Sequence, residues 1–115
     1  MDKETKALLK KEKYAYLLLI YGKILTKTVY SRMESFYLDD YSITEIAQNY
    51  NVSRNAVFES IEHGSKKLDD LEKKLGLYEK NKRLSSLLEQ FKAENDSKKK
   101  DEIIKTIEGE LNYGI

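Results

Sequence analysis

The chain has 115 residues, 36% charged and 40% hydrophobic, which leaves room for one globular unit or for a small domain with helical extensions. It carries 21 basic and 20 acidic side chains, so its net charge of +1 gives the whole molecule no basic field that would attract nucleic acid. Cysteine is absent and His63 is the single histidine, which excludes disulfides and thiolate chemistry and leaves too few imidazoles for an ordinary zinc site.

The first predicted helix runs from Glu4 to about Gly22 and contains an apolar run from Tyr14 to Tyr21. The run is far shorter than the roughly 20 residues of a membrane-spanning helix, so we expect no membrane insertion. Lysines precede it as in a signal peptide, but acidic residues are mixed with them and no small-x-small cleavage site follows, so we expect a cytoplasmic protein. Because the run is apolar on every side, either the chain's own core or a second copy should cover it.

A second helix is predicted to follow Thr26, which can cap it, and to end near Asp39 and Asp40. Its apolar residues recur at helical spacing, so they share one face that should be buried. These residues are Val29, Met33, Phe36 and Tyr37.

A third helix is predicted to open at Ser42, with Glu45 placed to form a capping box in which each side chain satisfies a backbone donor of the other. Asn51 then tolerates the left-handed conformation that ends a helix, and Ser53 is a fresh N-cap. Two short helices joined by a turn of about three residues have the sequence form of a helix-turn-helix. The apolar face of the third helix consists of Ile43, Ile46, Ala47 and Tyr50.

The helix that begins at Arg54 is predicted to be unusually long. Gly64 lets another backbone come close, and Gly76 is predicted to break or end the helix as its cap. The inward residues are spaced alternately by four and three positions, as in the heptad seam of a coiled coil, and they are Val57, Ile61, Gly64, Leu68, Leu71, Leu75 and Tyr78.

We expect the first helix and this seam to form the interface of a homodimer. Most of the nine tyrosines lie at core spacings, so we interpret Tyr14, Tyr21, Tyr37 and Tyr50 as core or interface rings and Tyr41 as a loop anchor. The predicted dimer interface consists of Tyr14, Leu17, Leu18, Tyr21, Ile61, Gly64, Leu68 and Leu71.

Two further amphipathic segments follow, separated by a charged linker at residues 95–100. No segment has the alternating pattern of a strand, so the predicted fold is all-α. We expect residues 1–80 to form a helix-turn-helix domain with its long following helix, and residues 81–115 to form a C-terminal helical extension.

Four motifs occupy the central part of the chain, namely LT at 25–26, YLDDYS at 37–42, EIA at 45–47 and NVSRNAV at 51–57. This part resembles the helix-turn-helix of bacterial sigma-factor region four. It is also similar to a narrower group, the YlxM-like family of small helix-turn-helix proteins. The second resemblance continues through Leu68, EKKL at 72–75 and LYE at 77–79, and it covers roughly residues 14–80.

The YlxM-like resemblance implies a cytoplasmic, dimeric bacterial protein that works in the signal recognition particle pathway of protein targeting. The genes of that family lie next to those of the two targeting GTPases, and its members are described as regulatory. The resemblance therefore implies that the partners are components of the particle or its receptor, either the GTPases or the RNA.

Charge bears on whether the helix-turn-helix reads DNA. Residues 27–64 contain three basic and six acidic side chains, a net charge of −3, whereas DNA-binding modules depend on Lys and Arg contacts to phosphates. We therefore expect a binding module for a partner, with a dimeric DNA-binding transcriptional regulator as the alternative. The residues predicted to contact nucleic acid or a partner are Ser53, Arg54, Asn55, Phe58, Glu62, Lys66 and Lys67.

Two of these expectations stay open at this point. Phe58 is either a contact to a partner or a filler beneath the first helix. Positive charge gathers in residues 1–23 and 66–100, with net charges of +3 and +4, and this could mark an RNA or acidic-protein surface or only solvated helix faces.

The chain has no glycine-rich phosphate loop and no GxSxG turn, so we expect neither an enzyme nor a bound cofactor.

Overall fold

A computed structural model of the chain describes residues 2–112. Within that range the chain forms helices and no strand, which confirms the predicted all-α fold. A short 3-10 turn at Gly22–Ile24 follows the first α-helix, and a π-helical turn at Glu34–Leu38 follows the second. The six α-helices are α1 (Lys3–Tyr21), α2 (Lys27–Met33), α3 (Ile43–Tyr50), α4 (Arg54–Leu75), α5 (Leu77–Ala93) and α6 (Ser97–Asn112).

The chain divides into two compact units, Met1–Lys74 and Leu75–Ile115. The first unit contains α1, α2, α3 and nearly all of α4, and the second contains α5 and α6. The helix-turn-helix domain predicted for residues 1–80 therefore includes the first unit and the start of α5.

Local capping residues set the helix ends where the sequence predicted them. The hydroxyl of Thr26 accepts a 3.3 Å hydrogen bond from the backbone N–H of Val29 at the start of α2. Ser42 and Glu45 form the predicted capping box at α3. Asn51 ends α3 with φ of 54°, and Gly76 lies between α4 and α5 with φ of 65°, both in the left-handed region. Because Gly76 ends α4, the last member of the predicted heptad seam, Tyr78, belongs to α5.

The second predicted helix is interrupted, because α2 stops at Met33 and the chain continues as the π-helical turn. In that turn the N–H of Asp39 donates to the carbonyl of Glu34 at 3.0 Å. The turn contacts α1 and α3 as well as α2, so it is covered on more than one side. This is why Ser35 is buried beside Met33, although a helical period places it off the predicted face.

The core of the first unit is apolar and receives side chains from all four of its helices. The largest fully enclosed ones include Leu17, Met33, Ile46, Val57 and Leu68, each with 0% exposure. Burying one such side chain contributes on the order of 1.5–3 kcal/mol to folding. The remaining buried hydrophobic residues are Tyr14, Leu18, Tyr21, Ala47 and Ile61.

Gly64 lies at the closest part of the packing between α4 and α2. A Cβ atom at this position would stand 2.7 Å from Cγ1 of Val29 and would overlap the sulfur of Met33. The sequence predicted the close approach of another backbone at Gly64, whereas the atoms that approach it are side chains of α2.

The chain's own core covers the apolar run of α1 on one side, since Tyr16 is 52% and Leu19 66% exposed. Tyr50, predicted as a core or interface ring, lies outside the core, because it is 47% exposed at the end of α3. In both cases the apolar residues outnumber the positions that the small core can cover. Cover of the exposed side of α1 by a second copy stays a prediction.

The second unit pairs α5 with α6. Arg83 of α5 binds the carboxylate of Glu110 of α6 through two hydrogen bonds, of 3.1 Å and 3.3 Å. The connection is shorter than the predicted linker because Asp96 caps α6, accepting a 3.1 Å bond from the N–H of Lys98, and the helix starts at Ser97. No described side chain of α5 or α6 is fully buried.

Candidate binding site of the helix-turn-helix

The helix-turn-helix consists of α3, the turn at residues 51–53 and the start of α4. The N–H of Val52 donates to the carbonyl of Ala47 at 3.0 Å, which holds the turn tight. Ser53 caps α4, since its hydroxyl accepts a 3.0 Å bond from the N–H of Ala56. The Ser53 hydroxyl, predicted as a contact to a partner, is thus already engaged in the fold.

The outward face of α4 near its N-terminus is polar and acidic. Arg54, Asn55, Glu59 and Glu62 are all exposed there. The side-chain amide of Asn55 donates to the carboxylate of Glu59 at 3.3 Å, so reading a base edge would require this bond to break. Arg54 has no acidic partner among residues 2–112.

Next to this face lies an apolar groove between α1 and α4, here named the α1–α4 groove. Its cavity volume is about 310 Å³, and Phe58, 49% exposed, forms part of its wall. Lys10 and Lys11 lie along its α1 side, and Glu62 lies on α4. The apolar and aromatic lining consists of Ala7, Phe36, Tyr37, Ile43, Phe58 and Ile61.

Lys11 holds the α1 side of the groove in place through a cation–π contact and an ion pair. The ammonium group of Lys11 stands 4.7 Å from the centre of the Phe36 ring and donates a 2.6 Å hydrogen bond to Asp40. This contact lowers the pKa of the Asp40 carboxyl below its usual value, first through the hydrogen bond and then through the charge of Lys11. Lys10 has no such partner among residues 2–112.

Tyrosine hydroxyls fix the position of α4 behind the groove. Tyr14 donates a 2.7 Å hydrogen bond to Asp69, and the hydroxyls of Tyr37 and Ser65 lie 2.9 Å apart. The rings of Tyr14 and Tyr37 stack with centres 5.3 Å apart. Burial raises the pKa of the Tyr14 phenol, and the hydrogen bond to Asp69 raises it further. Burial likewise raises the pKa of Tyr37.

The predicted binding residues are therefore divided along α4. Phe58 and Glu62 line the α1–α4 groove, whereas Arg54 and Asn55 are exposed outside its lining. Lys66 and Lys67 are exposed further along the helix. The Phe58 ring lies near α1, as one of its two predicted positions requires, and it is also exposed; its contact to a partner stays a prediction.

The sequence offered the first helix as one neighbour of Phe58 but did not identify the residues that line the groove with it. Ala7, Lys10, Phe36 and Ile43 come from α1, the π-helical turn and α3, so only the tertiary fold brings them together. The available signal was the predicted amphipathic face of the second helix, which includes Phe36.

The residues predicted as a dimer interface lie inside the first unit. Seven of the eight are buried in the chain itself, and Leu71 is half-buried. A second copy could reach the seven buried residues only if the core opened. The exposed apolar residues of α1 are a different set, and they include Leu8 and Leu19 at 67% and 66% exposure.

Residues 2–112 contain no group of three side chains able to hold a metal ion. In this part of the chain, every helix is too short or too polar to span a bilayer.

A model of a known protein family matches residues 8–108, and the family is described as "Putative helix-turn-helix protein, YlxM / p13 like". The chain belongs to this family. The match covers α2, α3, α4 and α5 completely and confirms the YlxM-like resemblance drawn from the sequence motifs. The family is one of helix-turn-helix proteins.

Several bacterial members of the YlxM-like family are similar to this chain. A UPF0122 protein of Geobacillus sp. (strain WCH70) is 44% identical over 77 residues, which is 67% of this chain and 70% of the relative. A UPF0122 protein of Staphylococcus aureus (strain MRSA252) is 45% identical over 64 residues, or 56% of this chain. Another, from strain JH9, is 46% identical over 63 residues, or 55% of this chain. The chain spans 58% and 57% of the length of these two staphylococcal relatives.

Proposed function

We propose that this YlxM-like protein is a binding module that docks a protein partner in the α1–α4 groove. The observation that carries the proposal is the placement of Phe58, a large aromatic ring that is 49% exposed at the wall of an apolar cavity. Aromatic anchors in apolar pockets with a charged rim are typical of the energetically dominant part of protein interfaces. Lys10 and Glu62 supply opposite charges for the rim.

The charge of the recognition helix supports a protein partner over DNA. Glu59 and Glu62 are exposed on α4, and residues 27–64 keep a net charge of −3. Carboxylates near phosphates repel, and a groove reader depends on cations to displace counterions. The same acidic face is compatible with a protein that presents basic residues.

We further propose that the partner belongs to the bacterial signal recognition particle pathway, where this protein acts as a cytoplasmic accessory or regulatory factor. The support for the pathway is the YlxM-like family resemblance, and the groove supports only the mode of binding. The candidate partners are the targeting GTPases and the particle RNA, and the apolar groove favours the GTPases.

The alternative function is a dimeric DNA-binding transcriptional regulator. Its specific support is a well-capped helix-turn-helix in which Arg54 is exposed at the N-terminus of α4. An arginine there can contact a phosphate or the edge of a guanine.

A homodimer also stays a prediction. Because the predicted interface residues are in the core, we propose that a dimer would use the exposed side of α1, which includes Leu8 and Leu19.

Binding of the purified chain to purified targeting GTPases and particle RNA tests the proposal. We expect one GTPase to bind, and Phe58→Asp to weaken binding by at least about tenfold, since truncation of a central aromatic anchor costs about 2 kcal/mol or more. Leu88→Asp is the matched control, because Leu88 is 48% exposed on α5 and lies outside the groove. Equal binding by the two variants would rule out the groove.

The alternative is tested by titration of duplex DNA at physiological salt. A Kd tighter than about 1 μM that weakens with Arg54→Ala and falls steeply with salt would support the regulator and overturn our preference. Weak binding that is insensitive to Arg54→Ala would support the protein-docking function.

A further inference from the structure

A second pocket lies on the first unit, away from the residues that line the α1–α4 groove. It is formed by α2, the end of α3 and the turn of the helix-turn-helix, and its cavity volume is about 260 Å³. We name it the α2–turn pocket. Its lining residues are Lys27, Thr28, Ser31, Arg32, Tyr50 and Val52.

The lining is rich in donors and contains no carboxylate. Two of the three basic residues in the acidic segment 27–64, Lys27 and Arg32, lie in this one pocket. Neither forms an ion pair with a carboxylate of residues 2–112. In the same part of the chain, no side-chain hydrogen bond engages the hydroxyls of Thr28, Ser31 or Tyr50.

Arg32 is held in place by α4. Its Nη1 donates a 2.7 Å hydrogen bond to the hydroxyl of Ser60 and a 3.4 Å bond to the carbonyl of Ala56. Its Nε is buried and has no hydrogen-bond partner in the described chain. A half-buried guanidinium whose partners are both neutral keeps an uncompensated positive charge, which is costly without an anion nearby.

We propose that the α2–turn pocket binds a phosphate group. A guanidinium, an ammonium group and three hydroxyls can donate to several oxygens of one tetrahedral anion, and the two cations attract its negative charge. The exposed position of Tyr50 agrees with this role, because its ring forms part of the wall and its hydroxyl remains available. The phosphate group can belong to a small phosphate compound or to a nucleic-acid backbone.

Titration of inorganic phosphate into the full chain, with chloride replaced to hold ionic strength constant, tests the site. We expect saturable binding by calorimetry and saturable NMR shifts of Ser31 and Tyr50. Lys27→Gln should weaken binding about tenfold, because one charge-assisted hydrogen bond is lost, and Tyr50→Phe should weaken it by a smaller factor. Lys105→Gln, which removes an exposed lysine of α6 outside the pocket, should leave it unchanged.

Lys27 and Tyr50 are used because Arg32→Gln also removes the contacts to α4. Circular dichroism of each variant verifies that the helices remain. Absence of saturable shifts, or equal phosphate affinity in the Lys27→Gln and Lys105→Gln variants, would overturn the proposal. Phosphate binding should be unaffected by Phe58→Asp, so failure of the groove and failure of this pocket are separate results.

Two further titrations distinguish the source of the phosphate. A small phosphate compound would be supported by two results together. A nucleoside monophosphate would compete with inorganic phosphate, and Lys27→Gln would not change the affinity for duplex DNA. Duplex binding that is competed by inorganic phosphate and weakened by Lys27→Gln would support the same pocket as a contact to the nucleic-acid backbone. Failure of both probes to compete with inorganic phosphate would show an adventitious ion only, and would overturn both proposed sources of the phosphate group.

Discussion

The phenol of Tyr14 donates a 2.7 Å hydrogen bond to Oδ2 of Asp69, which joins α1 to α4 across 55 positions of the sequence. Two turns later in α1, the phenol of Tyr21 donates a 2.8 Å hydrogen bond to the carboxylate of Glu72, also in α4. Asp69 also lies 3.9 Å from the ammonium group of Lys13. Acidic residues of α4 are thereby engaged by α1, whereas lysines such as Lys66 and Lys67 face solvent.

Removal of the Tyr14 hydroxyl should destabilise the first unit. Tyr14→Phe deletes one side-chain hydrogen bond and keeps the ring, so we expect the free energy of unfolding to fall by about 0.5–1.5 kcal/mol. Urea denaturation followed by circular dichroism measures this change. Tyr41→Phe is the control, because the Tyr41 ring is 41% exposed and its hydroxyl has no partner among residues 2–112. Identical midpoints for the two variants would contradict a stabilising role of the Tyr14 bond.

The raised pKa values of Tyr14 and Tyr37 predict loss of stability at alkaline pH. Burial favours the neutral phenol in the folded state, so the folded pKa lies above the unfolded value of about 10. The resulting stabilisation is fully present below pH 10 or so and is lost as the pH rises above the unfolded pKa toward the folded one. Urea midpoints measured between about pH 8 and pH 11 should fall at the alkaline end. Tyr14→Phe should reduce the slope, and an unchanged slope would exclude Tyr14 as its source.

Gly64→Ala should destabilise the first unit, although alanine is the better helix former. The added Cβ would lie 2.7 Å from Val29 and overlap Met33, so α2 would have to shift, at a cost of about 1–3 kcal/mol. Gly109→Ala in α6 is the matched control, because no atom lies within 4 Å of its Cβ position. It should stabilise by up to about 1 kcal/mol through helix propensity. Stabilisation by both substitutions would show that α2 and α4 are not in close contact.

The parts of the fold that depend on neighbouring residues were predictable from the sequence. Ser42, Asn51 and Ser53 form the predicted caps because capping satisfies backbone groups within three or four positions. The π-helical turn was not predictable in this way. The spacing of its apolar residues also fits an α-helix, and the turn contacts α1, an element distant from it in sequence.

The candidate site was only partly predictable for a related reason. Helical spacing placed Phe58 outside the seam, but spacing could not say what faces it. The cavity beside Phe58 depends on the approach of Ala7 and Lys10, about fifty positions earlier in the chain. Similarly, the spacing that identified Leu17 and Leu68 as interior residues could not distinguish the core of one chain from an interface between two.

Substitution of one buried and one exposed leucine by aspartate distinguishes residues in the core of one chain from residues at an interface between two chains. Leu68 is 0% exposed in the core, so Leu68→Asp should bury an unpaired charge and cost more than about 3 kcal/mol, enough to unfold a marginally stable unit. Leu19 is 66% exposed, so Leu19→Asp should leave the urea midpoint nearly unchanged.

Sedimentation of the wild-type chain and of the folded Leu19→Asp variant then tests whether a dimer interface lies on the exposed side of α1. A wild-type dimer that becomes a monomer in this variant would place the interface on the exposed side of α1. A dimer that persists would exclude that side. A Leu68→Asp variant that folds with a normal midpoint would contradict the packing of Leu68 in the chain's own core, because a carboxylate with 0% exposure has neither water nor a cation to stabilise its charge.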